Sequence, residues 1–246
     1  MMDRFAFTSM TGAKHAMGQL ANTANNLANV QTPGFREMLA TFRAVPVKGA
    51  SADSRAFVVD STPGSSWQSG PVNVTNNPLD VAIRRNGMVA MLTPGNSEAY
   101  SRAGRFSVGQ DGVMRGAQGY PVLGQNGPIA LPENHSQLQI REDGQIYAVL
   151  RGETEPTLID QIKLVDPDPR QLTRRPDGLF DAAQTQPANP WVRVEQGALE
   201  GSNVSIAQAM VEMIEQNRLF DLNIKLVQTA EQNSRNASQL VSLSRS

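Results

Sequence analysis

Residues that could carry out chemistry are few in this chain of 246 residues. Cysteine is absent, which excludes disulfides, thiol nucleophiles and thiolate metal ligands. The two histidines stand far apart, His15 in a helical pattern and His135 in a turn rich in Pro, Asn and Ser. A zinc site or a catalytic triad needs further ligands or an orienting acid and a nucleophile beside such a group. The pattern therefore favours ordinary surface positions for both histidines.

Acidic residues and glycines offer little more. Asp166, Asp168 and Asp177 in "DPDPRQLTRRPDG" could in principle bind calcium through oxygen, but their spacing matches no dedicated loop, which favours a solvated turn. The chain contains no G-x-x-x-x-G-K-[ST] motif, so a phosphate-binding loop is not indicated. The sequence predicts no catalytic residue, no cofactor site and no metal site.

Charge and hydropathy exclude further classes. The net charge is -1, and the basic residues form no cluster, so neither nucleic acid nor an anionic membrane surface is an expected partner. No run of 18 apolar residues is present, so direct membrane insertion is not expected. The first residues lack a basic region followed by an uninterrupted apolar region, so a cleaved secretory signal is not expected either.

Both ends of the chain show the period of a helix with one narrow apolar seam. The seam positions recur at spacings of three and four: Met10, Ala13, Met17, Leu20, Ala24 and Leu27 near the N-terminus, and Ile206, Met210, Met213, Asn217, Phe220, Ile224 and Val227 near the C-terminus. This spacing predicts long N- and C-terminal helices pairing as a coiled-coil-like core, with Ser202 or Asn203 as the N-cap of the second. The alternative is that each seam is the buried stripe of a helix lying on the rest of the chain.

The middle of the chain changes to short alternating runs separated by turn signals. Hairpins are predicted at Asn86-Gly87, Asp111-Gly112, "GQNG" (124–127) and Asp143-Gly144. The pattern therefore predicts a mixed α and β protein with a central antiparallel all-β domain. Its expected parts are an N-terminal helix and turn (1–35), an extended connector with a strand at "AFVVD" (36–75), the β domain (76–200) and a C-terminal helix (201–246).

The stretch "ANNLANVQTPGF" (24–35) joins the first helix to the connector without a single charge. If identical copies stack side by side, like charges would meet in a desolvated interface, and uncharged amides avoid that cost. Asn25, Asn26, Asn29 and Phe35 are therefore predicted subunit contacts, and Phe35 is also predicted to anchor the chain after a type II turn at Pro33-Gly34. Asn217 is added to them, because a polar residue in a seam can set helix register.

The same stretch is similar to the N-terminal signature of the flagellar rod and hook (axial) proteins. "NPLDVAIRRNGMVAML", "AYSRAGRFSVGQDG", "GYPVLGQNGPIALP" and the closing "VEQGALEGSNVSIAQAMVEMIEQNRLFDLNIKLVQTAEQ" resemble that family in the same order, over essentially the whole chain. "MDRFAFTSMTGAKHAM" and "TFRAVPVKG" resemble the proximal-rod type most.

The resemblance implies a structural subunit of the proximal rod in the basal body of the bacterial flagellum, in the periplasm. It further implies export through the flagellar type III apparatus, and polymerisation with other copies and other rod proteins. In such proteins paired terminal helices line the export channel, and the rod transmits torque. Matched to this chain, the core packing residues are Met10, Met17, Leu20, Leu27, Ile206, Met210, Met213, Phe220, Ile224 and Val227.

Three alternatives remain at this point. The first is a distal-rod or hook subunit of the same family. The second is an enzyme acting on cell-wall polymer, for which Glu133 and Asp143 are the only candidate pair, although nothing sets their spacing. The third is a soluble binding module whose terminal helices close on its own β domain.

Overall fold

The computed structural model describes residues 2–40, 42–46, 56–60 and 64–243. The chain divides into two compact units. The first, here called the helical unit, comprises Met1–Ala28, Met38–Gly64 and Val204–Ser246, and the second, the β unit, comprises Asn29–Glu37 and Ser65–Asn203. Residue 1 of the expected N-terminal helix, residues 41, 47–55 and 61–63 of the expected connector, and residues 244–246 of the expected C-terminal helix lie outside the described residues.

Two long helices dominate the helical unit. Helix α1 spans Met2–Ala28 and helix α2 spans Ile206–Leu243, and they lie side by side. Strands β1 (Met38–Leu39), β2 (Phe42–Pro46) and β3 (Ala56–Asp60) belong to the same unit, and β2 pairs with β3 in antiparallel register. The predicted strand at "AFVVD" is thus confirmed. No helix in the described part of the chain combines the length and apolar character that a membrane span requires.

A mixed α and β class is consistent with this structure, but the predicted coiled-coil-like core is wrong. A coiled coil buries large apolar side chains in the seam between its helices. Here Met10 and Met17 are 61% and 62% exposed, whereas the buried positions of α1 include Ala13 and Ala16. At Gly12 an added Cβ would lie 2.5 Å from Asn223 Oδ1. The two helices therefore meet closely through small residues, and Met10 and Met17, which the prediction placed between them, are on the surface.

Helix α2 also begins later than predicted. Its first residue is Ile206, and the preceding Ser205 has the N-cap position, with its Oγ accepting from Gln208 N at 3.4 Å and its carbonyl accepting from Ala209 N at 2.9 Å. The N-cap prediction at Ser202 or Asn203 is therefore wrong, because those two side chains belong to the β unit.

The rest of the chain is built from short strands. From residue 64 onward they are, in chain order, β4 (Gly64–Ser65), β5 (Val72–Val74), β6 (Val81–Ile83), β7 (Met88–Thr93), β8 (Ser97–Ser101), β9 (Ser107–Val108), β10 (Met114–Arg115), β11 (His135–Ile140), β12 (Gln145–Leu150), β13 (Thr157–Gln161), β14 (Leu164–Val165), β15 (Leu172–Arg174), β16 (Phe180–Ala182), β17 (Val194–Gln196) and β18 (Ala198–Glu200). A 3₁₀ helix at Pro169–Gln171 precedes β15.

Antiparallel pairing organises these strands into several small sheets. The largest has the order β14-β7-β8-β16-β15, a second has the order β11-β12-β13, and the pairs β10-β9, β17-β6 and β18-β5 complete the unit. The main core lies among them and contains fully buried residues such as Met91, Met114, Ile129, Ile146 and Leu179.

Three of the four predicted hairpins are confirmed. Asp111-Gly112 joins β9 to β10, Asp143-Gly144 joins β11 to β12, and the "GQNG" turn is closed by a bond from Gly124 N to Gly127 O at 2.7 Å. Gly112, Gly127 and Gly144 in these turns have positive φ, which explains why glycine is used at those three positions.

The hairpin predicted at Asn86-Gly87 is wrong. The strand before this turn, β6, pairs with β17, and the strand after it, β7, pairs with β8 and β14. An added Cβ at Gly87 would lie 2.3 Å from Val192 Cγ1. The glycine therefore leaves room for the residues that lead into β17.

Candidate assembly surfaces

Helix α1 buries small or polar residues and exposes large apolar ones. Its buried positions include Ser9, Ala13, Ala16, Thr23 and Asn26, which recur at the helical period along one side. Of the predicted core residues, Met10 and Met17 are exposed, as is Phe7, while Leu20 and Leu27 are half-buried. Exposure of three large apolar side chains leaves apolar surface on α1 that the helical unit itself does not cover.

On α2, too, some of the predicted core residues are exposed and the others are half-buried. Ile206 and Met210 are exposed, and Met213, Phe220, Ile224 and Val227 are half-buried. Further large apolar side chains that the single predicted seam did not include are also exposed: Val211, Ile214, Leu219, Leu222 and Leu226. They were missed because the sequence was interpreted as one stripe on each helix.

Six of the large exposed apolar residues of α2 form two stripes, and Val211 lies between them around the helix. Ile206, Met210 and Ile214 follow one another at intervals of four residues, and Leu219, Leu222 and Leu226 at intervals of three and four. With 3.6 residues per turn, the second stripe lies roughly 150° around the helix from the first. A helix that is apolar on several sides is expected to have neighbours on several sides.

The asparagines at the end of α1 have different environments. Asn26 is buried, and its Oδ1 accepts from Met38 N at 2.8 Å while its Nδ2 donates to Met38 O at 3.0 Å. Asn25 on the neighbouring position is exposed. Asn29 is half-buried in the β unit, where its side-chain oxygen accepts from Thr32 Oγ1 at 3.2 Å. The structure thus uses the Asn26 amide inside the chain and leaves Asn25 on the surface.

Asn217, the polar residue of the predicted C-terminal seam, is exposed. Its Nδ2 donates to Met213 O, one turn earlier on the same helix, at 3.0 Å. The Asn217 amide therefore lies on the exposed side of α2 and not on the side that packs against α1.

The turn after α1 is the predicted type II turn. Phe35 N donates to Thr32 O at 3.2 Å, and Gly34, its third residue, has φ of 69°. An added Cβ at Gly34 would lie 2.5 Å from the backbone of Arg102 and Ala103. Glycine is required here both by its backbone angle and by the closeness of the neighbouring chain.

Phe35 is the anchor that the sequence predicted. Its side chain is buried, and the Arg174 guanidinium lies 4.4 Å from the centre of its ring. Arg174 Nη1 also donates to the carbonyl of Arg36 at 2.6 Å. Phe35 is therefore held inside the β unit.

A buried ion network lies directly beyond Phe35, and sequence reasoning missed it. The Glu200 carboxylate pairs with Arg36 Nη1 at 3.1 Å and accepts from Arg102 Nε at 2.6 Å. All three side chains are almost fully buried. Burial lowers the pKa of the Arg36 and Arg102 guanidinium groups, and the negative charge of Glu200 opposes that shift. The positive charge of Arg36 lowers the pKa of Arg102 further. We call these three residues the junction network.

The junction network joins the segment that follows α1 in the chain to the segment that precedes α2. Gly34 N donates to Glu200 O at 2.8 Å, and Glu37 N donates to Asn203 Oδ1 at 2.7 Å. Asn203 Nδ2 in turn donates to the carbonyls of Ser66 and Gln68. The sequence does not indicate that these two segments contact each other. They are far apart in the chain, and both lie in turn-rich stretches that have no helical or strand period.

The chemistry of these surfaces is that of packing and positioning. Within the described residues, no group of three or more His, Asp or Glu side chains is arranged to hold a metal ion. Glu133 and Asp143, the candidate pair for an enzyme, lie at the two ends of β11, before its first residue and after its last. The arrangement exposes apolar helical surface and fixes the segments next to the helices.

Comparisons with known proteins identify relatives along most of the chain. Residues 57–148 match the family described as "Flagellar hook protein FlgE/F/G D1 domain", and residues 195–240 match "Flagellar basal body rod FlgEFG protein C-terminal". The flagellar basal-body rod protein FlgF of Escherichia coli (strain K12) is 40% identical over 99% of this chain and 100% of its own length. The FlgF protein of Salmonella typhimurium (strain LT2) is 39% identical over the same shares. A rod protein FlgG of Buchnera aphidicola subsp. Acyrthosiphon pisum is 28% identical over 94% of this chain and 97% of its own length.

Proposed function

Since this chain belongs to the flagellar basal-body rod protein family, we propose that the exposed apolar faces of α1 and α2 are the surfaces through which it assembles into the rod. Family membership makes the chain a structural subunit of the basal-body rod and not an enzyme. It also makes other rod and hook proteins its partners. Our proposal adds to this which faces of the two helices make the contacts in the rod.

One observation supports this proposal above the others, namely the two apolar stripes of α2. Each large apolar side chain that leaves water contributes roughly 1.5–3 kcal/mol. Stripes on different sides of one helix suit contacts with two different neighbours, as a polymer built from heterologous contacts requires. On α1, Met10 and Met17 add further apolar surface, with Asn25 as an uncharged polar contact beside it.

Leu222→Asp tests the helical faces. Leu222 is exposed, so the change leaves the fold of the single chain intact, but it places a carboxylate in the proposed contact, where desolvation is costly. We expect cells producing the variant to contain the protein at normal level, to be non-motile and to lack it in isolated basal bodies, as judged by immunoblotting. Gln228→Asp, at an exposed polar position of the same helix, is the matched control and is expected to assemble. Normal assembly of Leu222→Asp would refute the helical interface.

We also propose that the subunit reaches the rod through the flagellar type III export apparatus, without cleavage, and that its helices line the export channel of a torque-transmitting rod. The support is the resemblance of both terminal segments to the axial proteins. Inactivating the export apparatus should retain the protein in the cytoplasm, whereas inactivating general secretion should not. Secretion that continues without the flagellar apparatus would contradict this route.

Within the family we propose the proximal-rod position. The similarity to FlgF proteins, at 40% and 39% identity over nearly the whole chain, exceeds the 28% found for the FlgG relative named above. In a host lacking its FlgF protein, the gene for this chain should restore motility. Restoration of a strain lacking the FlgG protein instead would assign the chain to the other position.

A further inference from the structure

Trp191 lies on the surface of the β unit, and a hydrogen bond and the packing of the next residue hold its backbone in place. Its side chain is 75% exposed. Its backbone N donates to Asn189 Oδ1 at 2.9 Å, and the next residue, Val192, is buried against Gly87. A large, rigid aromatic side chain on an ordered turn is the type of residue that most often dominates a protein–protein contact.

A shallow groove of about 400 Å³ lies elsewhere on the same unit. Its walls are Pro78, Leu79, Ser136, Gln137 and Leu138. This volume is at the low end of the roughly 300–1,000 Å³ typical of ligand clefts, which leaves room for one large aromatic side chain. The walls are tied together, since Gln196 Nε2 donates to the carbonyls of Pro78 and Leu138 at 2.9 and 3.1 Å.

Trp191 and the groove lie at opposite ends of the ribbon formed by β6 and β17. In this antiparallel pair Val194 is opposite Ile83 and Gln196 is opposite Val81. Trp191 precedes the first end, whereas the groove adjoins Gln196 at the second. Because Trp191 and the groove are different parts of one surface, a contact between them joins copies head to tail, which is the type of contact that extends a polymer.

The charges around the two ends are complementary. Near Trp191 the polar surface carries four arginines against three carboxylates: Arg84, Arg85, Arg141 and Arg193, with Glu142, Asp143 and Glu195. The surface beside the groove carries three carboxylates against two arginines: Glu133, Glu153 and Glu155, with Arg105, which forms a β-bridge with Asp80 next to Leu79, and Arg151, whose backbone N donates to Asn134 O at 2.7 Å. Within the part of the chain that the structure describes, Glu153 and Glu155 have no ion-pair partner. Opposite net charges at the two ends favour a head-to-tail encounter over a meeting of two like ends.

We propose that Trp191 of one copy inserts into the groove between Leu79 and Leu138 of a second copy, so that the β units of neighbouring subunits are joined head to tail. This inference rests on the proposed function, because it assumes that copies of the chain meet in the rod. The indole N–H finds hydrogen-bond acceptors in the Ser136 hydroxyl and the Gln137 side chain on the rim of the groove.

The absence of cysteine allows a direct test by cross-linking. Asn86→Cys places a thiol beside Trp191, and Asn134→Cys places one next to the groove without changing its walls, both at exposed positions. Cells producing the full-length double variant are treated with a short bismaleimide, and isolated basal bodies are immunoblotted. We expect a ladder of two, three and more linked copies from the double variant and no linked product from either single variant. Trp191→Ala in the double-variant background should reduce the ladder about tenfold or more, as expected for loss of a contact worth over 1.4 kcal/mol.

Two controls separate the outcomes. Asn86→Cys with Gln184→Cys, an exposed position outside the groove, should yield no ladder, and Val74→Ala, which truncates another exposed apolar residue of the β unit, should leave the ladder intact. Three results would overturn the proposal. Dimers from Asn86→Cys alone would show a symmetric contact, linkage to a different rod protein would show a different partner, and absence of the ladder would show no contact of this kind. A missing ladder in rods that still depend on Leu222 refutes only the Trp191 contact, whereas normal assembly of Leu222→Asp refutes only the helical interface.

Discussion

At the scale of single residues, the junction network shows how a few buried charges fix the segments beside the helices. Glu200 neutralises one positive charge, while two guanidinium groups lie beside it out of contact with water. Buried ion pairs contribute little net stability when compared with apolar replacements, but removing one partner leaves an uncompensated buried charge. The network is therefore a strong constraint on where residues 34–36 and 200–203 lie within the β unit.

Glu200→Gln should strongly destabilise the β unit. The change leaves Arg36 and Arg102 buried without a carboxylate, and the expected loss is about 3–5 kcal/mol of the free energy of unfolding. Glu195→Gln is the matched control, because the Arg84–Glu195 pair is exposed and worth about 0–1 kcal/mol. Urea unfolding followed by tryptophan fluorescence measures both, since Trp67 and Trp191 are in the β unit. Equal unfolding midpoints for the two variants would contradict the assigned role of Glu200.

At the scale of elements, small residues on α1 decide which of its sides meets α2. Ala13 and Ala16 are buried and Gly12 lies against Asn223, whereas the longer side chains of Met10 and Met17 are exposed. Close approach of two helices needs small side chains at the contact, because a large one would hold the backbones apart. The apolar surface of Met10 and Met17 then stays outside this contact, where we propose that neighbouring subunits bind.

Substituting the two glycines of α1 separates packing from helix propensity. Gly18→Ala should stabilise the helical unit by roughly 0.5–1 kcal/mol, because alanine favours the helix and an added Cβ meets nothing within 4 Å. Gly12→Ala brings the same gain in propensity, but its Cβ would displace Asn223, whose Nδ2 donates to Leu219 O at 2.8 Å. We therefore expect Gly12→Ala to be less stable than Gly18→Ala by about 1–2 kcal/mol in thermal unfolding followed at 222 nm. Equal stabilisation by both would show that α2 does not constrain Gly12.

At the scale of the whole molecule, the chain contains two units with different spectroscopic signatures. Both long helices belong to the helical unit, and both tryptophans belong to the β unit. Ellipticity at 222 nm therefore reports mainly on the first unit, and tryptophan fluorescence reports on the second. A protein with two units need not unfold in one transition, so the two signals have to be followed separately.

Leu27→Asp should affect only one of these transitions. Leu27 is half-buried in the helical unit, so a carboxylate there loses apolar burial and is partly desolvated. We expect the helical transition to lose roughly 1–3 kcal/mol, while the fluorescence transition stays unchanged. Ala24→Asp, at an exposed position of the same helix, is the control and should shift neither transition by more than about 0.5 kcal/mol. A shift of the fluorescence transition by Leu27→Asp would show that the two units unfold together.

The sequence by itself determined the features that depend on neighbouring residues. Spacings of three and four predicted helices at both ends, and Asp111-Gly112 and Asp143-Gly144 predicted hairpins, because periodicity and positive φ are local properties. The family motifs identified the flagellar axial proteins for the same reason, because each motif is contained in one continuous stretch of residues.

Only the tertiary structure decided which surfaces meet. The seam on α1 predicted Met10, Ala13 and Met17 inside, but close packing buries the small Ala13 together with Ala16 and leaves the two methionines exposed. Periodicity alone does not rank neighbouring sides of a helix. Strand β6 pairs with β17 rather than with the strand after Asn86-Gly87, because long-range packing of Val192 outweighs the local turn preference. Arg36, Arg102 and Glu200 come together from three separate stretches of the chain, and a contact of that kind leaves no period or spacing in the sequence to indicate it.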